Sequence, residues 1–332
     1  MNICLSMIVR NESAVIRRCL RSISPHVTHY AIVDTGSIDA TIDIVRSCLK
    51  ALQGHVRVEE WSDDFSVHRN QALALAKEVL GPAGGKILFM DADEVFVGDL
   101  NFLSSRDCDL EDAWQWWVED GDYRYRKLGV VKSSSALGWI ASRHEWLDIS
   151  QNSRVGFVAD GHVKYGHDGA RGKDANSLIA DLSQLTNESK EPDTARRHFF
   201  VARTLEALGR NAEAVKEYEL TASLTEASGD EHWQAVWGKA RSISAIPDES
   251  PKLKAEAYFA AHTANPMRAE PVLALAVLAY QLGQFVEALK MATYARQCRL
   301  PQDTAIYDHS AYTWRADELI RELARYRLKT EH

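Results

Sequence analysis

The strongest constraint on this chain's fold is a pattern repeated through its first ninety residues: a short apolar run, a break at a polar residue, then an amphipathic segment. Such alternation builds a parallel sheet covered by helices. A strand buried on both faces reads as an unbroken apolar run, while its crossover helix shows a single apolar stripe. Ile3–Val9 reads as the first strand. Glu12 to Ser24 is expected as a helix with Val15, Ile16, Cys19, Leu20 and Ile23 on one face, stopped by Pro25. Tyr30–Val33 is a second strand ending at Asp34. The turn Asp34-Thr35-Gly36-Ser37 then leads to a helix carrying Ile42, Ile44, Val45, Cys48 and Leu49, with Ser37 or Asp39 as its cap. Val56–Glu59 is expected as a short third strand and Phe65 to Leu80 as a third helix, closed by Gly81-Pro82. The run Lys86–Met90 forms a fully buried strand.

In open α/β sheets ligands sit beyond the carboxyl ends of the strands, where the strand order switches. Asn11, Asp34 and Asp91 all occupy such ends. From about 100 to 175 the periodicity fades into a region rich in Trp, Tyr, Arg and Gly, expected as irregular strands and loops. From about 190 onward the chain turns Ala-, Leu- and Glu-rich with helical spacing. Gly209…Ala214-x-x-x-Tyr218 and Gly283…Ala288-x-x-x-Ala292 share one interval, and Ala257-x-x-x-Ala261 echoes its small-residue half. Small residues at that spacing let paired helices approach closely, as in tetratricopeptide-type hairpins.

The residue types at the strand ends suit a phosphorylated ligand. Asp91-Ala92-Asp93-Glu94 supplies hard carboxylate oxygens to a divalent cation, and Mg²⁺-like ions are held by one or two carboxylates plus substrate phosphates. Strand-end capping explains the same acids taken alone. Asp34 could accept from a nucleobase N–H, or serve a plain Asx-turn. In Trp61-Ser62-Asp63-Asp64-Phe65-Ser66-Val67-His68-Arg69-Asn70, a cap at Asp64 or Ser66 puts Arg69 and Asn70 in the first turn of a helix. There a guanidinium suits a phosphate or base edge, although a solvated first turn has the same spacing. The cluster Trp114-Gln115-Trp116-Trp117 reads either as core or as a sugar-stacking face.

Together S-M-I-V-R-N-E (6–12), I-V-D-T-G-S (32–37), W-S-D-D-F-S-V-H-R-N (61–70) and L-F-M-D-A-D-E (88–94) resemble family-two glycosyltransferases of the GT-A fold in order and spacing. The resemblance extends more loosely through Trp139, Arg143-His144-Glu145 and Val163–Gly169. It is nearest the branch with a tetratricopeptide-like tail, which includes bacteriocin S-glycosyltransferases. It implies an α/β GT-A domain over 1–180, with a nucleotide-sugar half (1–95) and an acceptor half (96–180), followed by a helical-repeat domain over 190–332. It also implies Asp34 on the nucleobase, Arg69 and Asn70 in nucleotide recognition, and Asn11 and Glu12 lining the same pocket. Asp91 is implied at the ribose or metal, Asp93 at the metal, and His167 completing the metal shell. An inverting displacement needs a base for the acceptor proton, expected at Glu145 with His144 as alternative, and a Lewis acid, Mn²⁺ or Mg²⁺, at the leaving diphosphate. The chain departs from the family at His68, where Ala is usual, and at Ile38, where Thr is commoner.

Composition sets the remaining bounds. A formal charge of −8 and a pI near 5.9 argue against a surface that grips nucleic acid throughout. Five cysteines with no C-x-x-C pair suit packing in a reducing compartment rather than a disulfide or zinc framework. No apolar run approaches the roughly 18 residues of a membrane span, so a cytoplasmic protein is expected. The expected function is sugar transfer from a nucleotide sugar, UDP-sugar favoured, to an acceptor left open among peptide or protein, glycan and modified DNA base. A homodimer through the repeats is the other expected role of the tail. Two rival readings are an inactive GT-A scaffold with a repeat tail, and a nucleotidyltransferase. The latter normally needs a Gly-rich loop after the first strand, where this chain has Arg10-Asn11-Glu12.

Overall fold

The computed structural model describes residues 1–104, 108, 110–170, 175–187, 194–224, 229–301 and 305–330. These group into two compact units, Met1–Gly121 with Arg126–Ser177, and Asp122–Tyr125 with Leu178–His332. The expected start of the repeat region at 190 lies outside the described residues.

The first unit opens with β1 (Ile3–Val9), α1 (Ile16–Ile23), β2 (His29–Asp34), α2 (Thr41–Cys48), β3 (Gln53–Val58), α3 (Phe65–Leu80) and β4 (Lys86–Phe89). β1 lies between β2 and β4 and parallel to both, with β3 parallel outside β2. α3 packs Ala72, Leu73, Leu75, Ala76 and Leu80 against Cys4, Ala31, Val33, Ile87 and Phe89 of this sheet. That is the parallel, helix-covered half read from the sequence. Two boundaries differ. α1 begins at Ile16 rather than Glu12: Glu12 and Ser13 are tied through their backbone N–H groups to Thr41 and Asp39, and the Glu12 carbonyl accepts from Val15 and Ile16 as the chain turns into the helix. β3 begins earlier, at Gln53, and is a half-exposed edge strand whose polar residues carry no apolar run to read.

Beyond β4 the unit continues with β5 (Val95–Gly98), β6 (Ala113–Asp120), β7 (Tyr123–Lys132), β8 (Leu137–Ile140), β9 (Trp146–Ile149) and β10 (Val155–Lys164). The sheet order runs β3-β2-β1-β4-β7-β6-β10-β5, turning mixed where β7 lies antiparallel to β4. β8 and β9 form a separate antiparallel hairpin. The region expected as irregular strands and loops is therefore largely regular strand. Its alternation is hidden because the aromatics of β6 occupy both faces: Trp114 and Trp116 are fully buried, and Trp117 lies edge-on to Phe157 with Arg126 over its ring. Gly129 is required opposite Trp116, whose ring would lie 2.2 Å from an added Cβ.

The second unit holds most of α4 (Ala175–Leu185), then α5 (Ala195–Ala207), α6 (Asn211–Ser223), α7 (Gly229–Ala245), α8 (Pro251–Ala264), α9 (Ala269–Gln281) and α10 (Phe285–Gln297). A short β11 (Tyr307–Asp308) pairs with Tyr123 and Arg124, and α11 (His309–Thr313) and α12 (Arg315–Thr330) follow. The repeated Gly-to-Ala interval has a physical cause. Gly209 and Gly283 turn the α5–α6 and α9–α10 hairpins in the left-handed region, at φ 72° and 73°. Ala214, Ala261, Ala288 and Ala292 are fully buried where helices pack, which is the tetratricopeptide-type arrangement. Among the described residues no helix is long and apolar enough to cross a membrane. All five cysteines are free thiols.

Gly238 tests this packing. Alanine inside a helix is favoured over glycine by about 1 kcal/mol. Here, however, the added Cβ would lie 2.3 Å from the ring of Tyr218, which is buried and donates through its hydroxyl to Glu206 at 2.6 Å. Gly238→Ala is therefore expected to lower stability by about 1–3 kcal/mol in urea unfolding. A gain would contradict the close approach of α6 and α7.

Candidate active site

The register of β1 against β2 sets Val9 beside Asp34, so the loops leaving both strands meet at one rim. Asp34 is fully buried, and its Oδ1 accepts from the backbone N–H groups of Gly36 and Ser37 at 2.9 and 2.8 Å. Those bonds are the Asx-turn. They leave Oδ2 buried without any partner among the described residues. A buried acceptor without a donor costs about 1–3 kcal/mol, so its retention points to a donor brought by a ligand.

Asn11, held at φ 55°, braces the same turn: its Oδ1 accepts from Ile38 N at 2.8 Å and its own N–H donates to Ser37 Oγ at 2.9 Å. Glu12 accepts from Ala170 N at 3.0 Å. Burial, and then the neighbouring carboxylates of Asp93, Asp39 and Asp91, raise its carboxyl above the usual range.

α3 is capped by Asp64, which accepts from Ser66 N and Val67 N. Its first turns bring Arg69 over Trp139 at 4.8 Å, with Nε donating to Glu145 at 2.5 Å and an η-nitrogen to Asp91 Oδ1 at 2.8 Å. Lys127 of β7 donates to the other oxygen of Asp91 at 2.9 Å and to Glu94 at 2.7 Å, while Glu94 also accepts from Asp91 N at 2.9 Å. The result is a chain of alternating charge, Glu145–Arg69–Asp91–Lys127–Glu94. Burial alone would raise the Asp91 carboxyl, but Arg69 and Lys127 outweigh it and hold it well below the usual range. Burial dominates at Glu94, whose carboxyl is raised despite Lys127.

Asp93 is different. Among the described residues no ion pair engages its carboxylate, which faces Gly169 so closely that a Cβ there would lie 3.3 Å from Oδ2. Burial, and next the charge of Asp91, raise its carboxyl. A largely buried carboxylate raised by its burial and by a neighbouring like charge, with a glycine close against it, fits a hard divalent cation, which needs only one or two protein carboxylates beside a diphosphate. The expected set of Asp91, Asp93 and His167 is not assembled, however. His167 bonds through Nε2 to Asp120, and Asp91 already carries two side-chain cations. Among the described residues no group of His, Cys, Asp and Glu gathers as a metal cage. The neighbouring Asp168 is paired to Arg18, which also donates to Asp93 O at 3.2 Å.

The structure brings Arg69, Asp91 and Glu145 together and leaves other expected residues outside. Both ends of the Asn70 amide are spent on the backbone of Trp139, each at 2.8 Å, so this side chain anchors β8. His144 stands exposed with a left-handed backbone, φ 52°. His68 is buried and stacked on Trp61 at 4.8 Å; its Nε2 accepts from Ser62 N at 3.0 Å and its Nδ1 meets Gln71 at 2.8 Å, fixing the loop before α3. Lys127 was not legible as a site residue. The pairing of Leu88 with Val130 carries it opposite Asp91, but nothing local announces an antiparallel partner so distant in sequence.

Residues 4–103 match the model of glycosyl transferase family 2. A TPR repeat-containing protein of Synechococcus elongatus is 41% identical over 93 residues, covering 28% of this chain and 21% of that protein. The SPbeta prophage-derived glycosyltransferase SunS of Bacillus subtilis is 25% identical over 228 residues, covering 63% of this chain and 50% of the relative. The chain thus spans half or less of the length of these relatives. Among solved structures, Staphylococcus aureus TarS in complex with UDP aligns over 86% of this chain and 92% of its own, at 14% identity and a TM-score of 0.39.

The raised carboxyl of Asp93 gives a stability test. An acid whose folded value lies above its unfolded one costs stability once ionised, and that cost disappears as pH falls through the folded value. In metal-free buffer Asp93→Asn is expected to melt higher than the parent at pH 7, with the gap closing toward the ordinary aspartate value of 3.8. A variant that melts lower at pH 7 would mean that the carboxylate is stabilised where it stands.

Proposed function

We propose, on the match of residues 4–103 to the glycosyl transferase family 2 model, that this chain transfers a sugar from a nucleotide-sugar donor to an acceptor with inversion, UDP-sugar being the favoured donor and Mn²⁺ or Mg²⁺ the cofactor. The observation that carries the donor assignment is the buried, unpartnered Oδ2 of Asp34, an acceptor suited to the imide N–H of a uracil ring. In this reading Asp34 holds the base, and Asn11 keeps the turn around it in shape. Asp91 is the ribose-side carboxylate, and Arg69 faces the phosphates. Asp93 holds the divalent ion, with Glu12 adding to the local negative field. When bound, that ion supplies Lewis-acid stabilisation of the leaving diphosphate.

Glu145 is the proposed general base. It is the last residue of the loop joining β8 to β9, and its contact with Arg69 keeps the carboxylate oriented. A base must lie within hydrogen-bond reach of the acceptor proton, and a carboxylate fixed by a guanidinium is a prepositioned candidate. Residues 96–180 are assigned to the acceptor side. The helical unit is assigned to holding the acceptor or a second copy; it carries a groove of about 460 Å³ lined by Leu182, Val201, Leu205, Lys216 and Glu217.

Purified protein with Mn²⁺ is expected to melt higher in the presence of a UDP-sugar and to hydrolyse it slowly, with UDP release followed by mass spectrometry. Asp34→Ala should weaken donor binding by about tenfold, the loss of one hydrogen bond made in a dry site, and Asp93→Ala should abolish hydrolysis. If no nucleotide sugar protects the protein against heating, with or without metal, the proposal fails.

A further inference from the structure

Both oxygens of Asp91 are taken by side-chain cations, Arg69 at 2.8 Å and Lys127 at 2.9 Å, whereas Asp93, two residues on, meets neither. Lys127 reaches this place from β7, not from the segment that carries the acidic run. Its second bond, to Glu94, closes a ring through Asp91 N and so fixes the turn that presents all three acids. A purely structural lysine would be satisfied by Glu94, whose side chain is almost fully enclosed; Asp91 is more open, with 30% of its side chain exposed. The five-membered chain counts three carboxylates (Glu145, Asp91, Glu94) against two cations (Arg69, Lys127).

We propose that Lys127 is a positioning residue for glycosyl transfer: a tethered cation that, with Arg69, keeps Asp91 out of the divalent ion's shell and leaves Asp93 to hold the ion. The proposal rests on the glycosyl-transfer reading above and adds a residue to it. Its consequence runs against intuition. Removing Lys127 takes away a repelling charge and frees a carboxylate oxygen, so the ion binds more tightly but in the wrong place, gripped by Asp91 as well. Carboxylate count sets the affinity of such sites, while the groups behind the ligands set their geometry.

The test measures Mn²⁺ binding by electron paramagnetic resonance in the presence of UDP, beside turnover of the UDP-sugar. Lys127→Met is expected to bind Mn²⁺ about tenfold more tightly and to lose about 10- to 100-fold in turnover. Lys127→Arg, which keeps the cation, should restore both toward the parent. In K127M/D91N the gain in Mn²⁺ affinity should disappear, because the freed carboxylate is gone. A folded Lys127→Met chain that binds Mn²⁺ as the parent does, or more weakly, overturns the inference, and so does a tighter-binding K127M/D91N chain. If the parent itself binds no Mn²⁺ with UDP, the metal assignment at Asp93 falls and this inference falls with it, while nucleotide-sugar protection without metal still decides the glycosyl-transfer reading. Parent binding without the Lys127 effect overturns this inference alone.

Discussion

Arg69 joins pieces of chain that are coded far apart. It leaves α3, lies over the ring of Trp139, and bonds at once to Glu145 of the β8–β9 hairpin and to Asp91 beyond β4. Without a cation at this point two partly buried carboxylates would be left facing a low-dielectric rim. Breaking such a pair by removing one partner typically costs about 3–5 kcal/mol, most of it the penalty of a stranded charge. A lysine there could not replace it, since the planar fork meets two carboxylates in two directions and still stacks on an indole. The loop before α3 is built to deliver this one side chain, through the Asp64 cap and the stack of His68 on Trp61.

The same logic separates two acids that look equivalent in sequence. Asp91 is neutralised twice, by Arg69 and Lys127, and ionises more easily than an ordinary aspartate. Asp93 has no such partner among the described residues and ionises with more difficulty. Pairs of acids pushed in opposite directions by their surroundings mark a division of labour. Here the paired acid is a fixed element of the wall, and the unpaired one keeps an unmet demand for positive charge. Asp34 repeats the theme for hydrogen bonds, one oxygen spent on its own turn and one left over.

How much of this could be read beforehand depended on sequence distance. The parallel half of the sheet was legible because Ile3–Val9 and the run ending at Phe89 are apolar throughout, and the strand ends fell on Asp34 and Asp91. The repeat hairpins were legible through Gly209 and Gly283, since a left-handed turn demands glycine at a fixed offset from the buried alanine. The mixed half was not. β6 carries tryptophans on both faces, and β7 is half-buried at every residue from Arg124 to Leu128, which erases the apolar period-two signal. The roles of individual site residues were legible only as chemistry, not as direction. Asn70 has the composition of a ligand contact and spends it on Trp139, and His167 turns to Asp120. Lys127 depends on an antiparallel register that only the folded sheet defines.

In the proposed reading, protein cations and turns occupy some acceptor atoms of the rim's acids and leave others, and the nucleobase and the ion go to two that are left, Asp34 Oδ2 and Asp93. A crystal structure of the chain with UDP and Mn²⁺ measures this most directly. Asp34 Oδ2 is expected within hydrogen-bond distance of the uracil imide, with the ion on Asp93 and Asp91 still held by Arg69 and Lys127. UDP seated away from Asp34, or an ion that displaces Lys127 from Asp91, would contradict it.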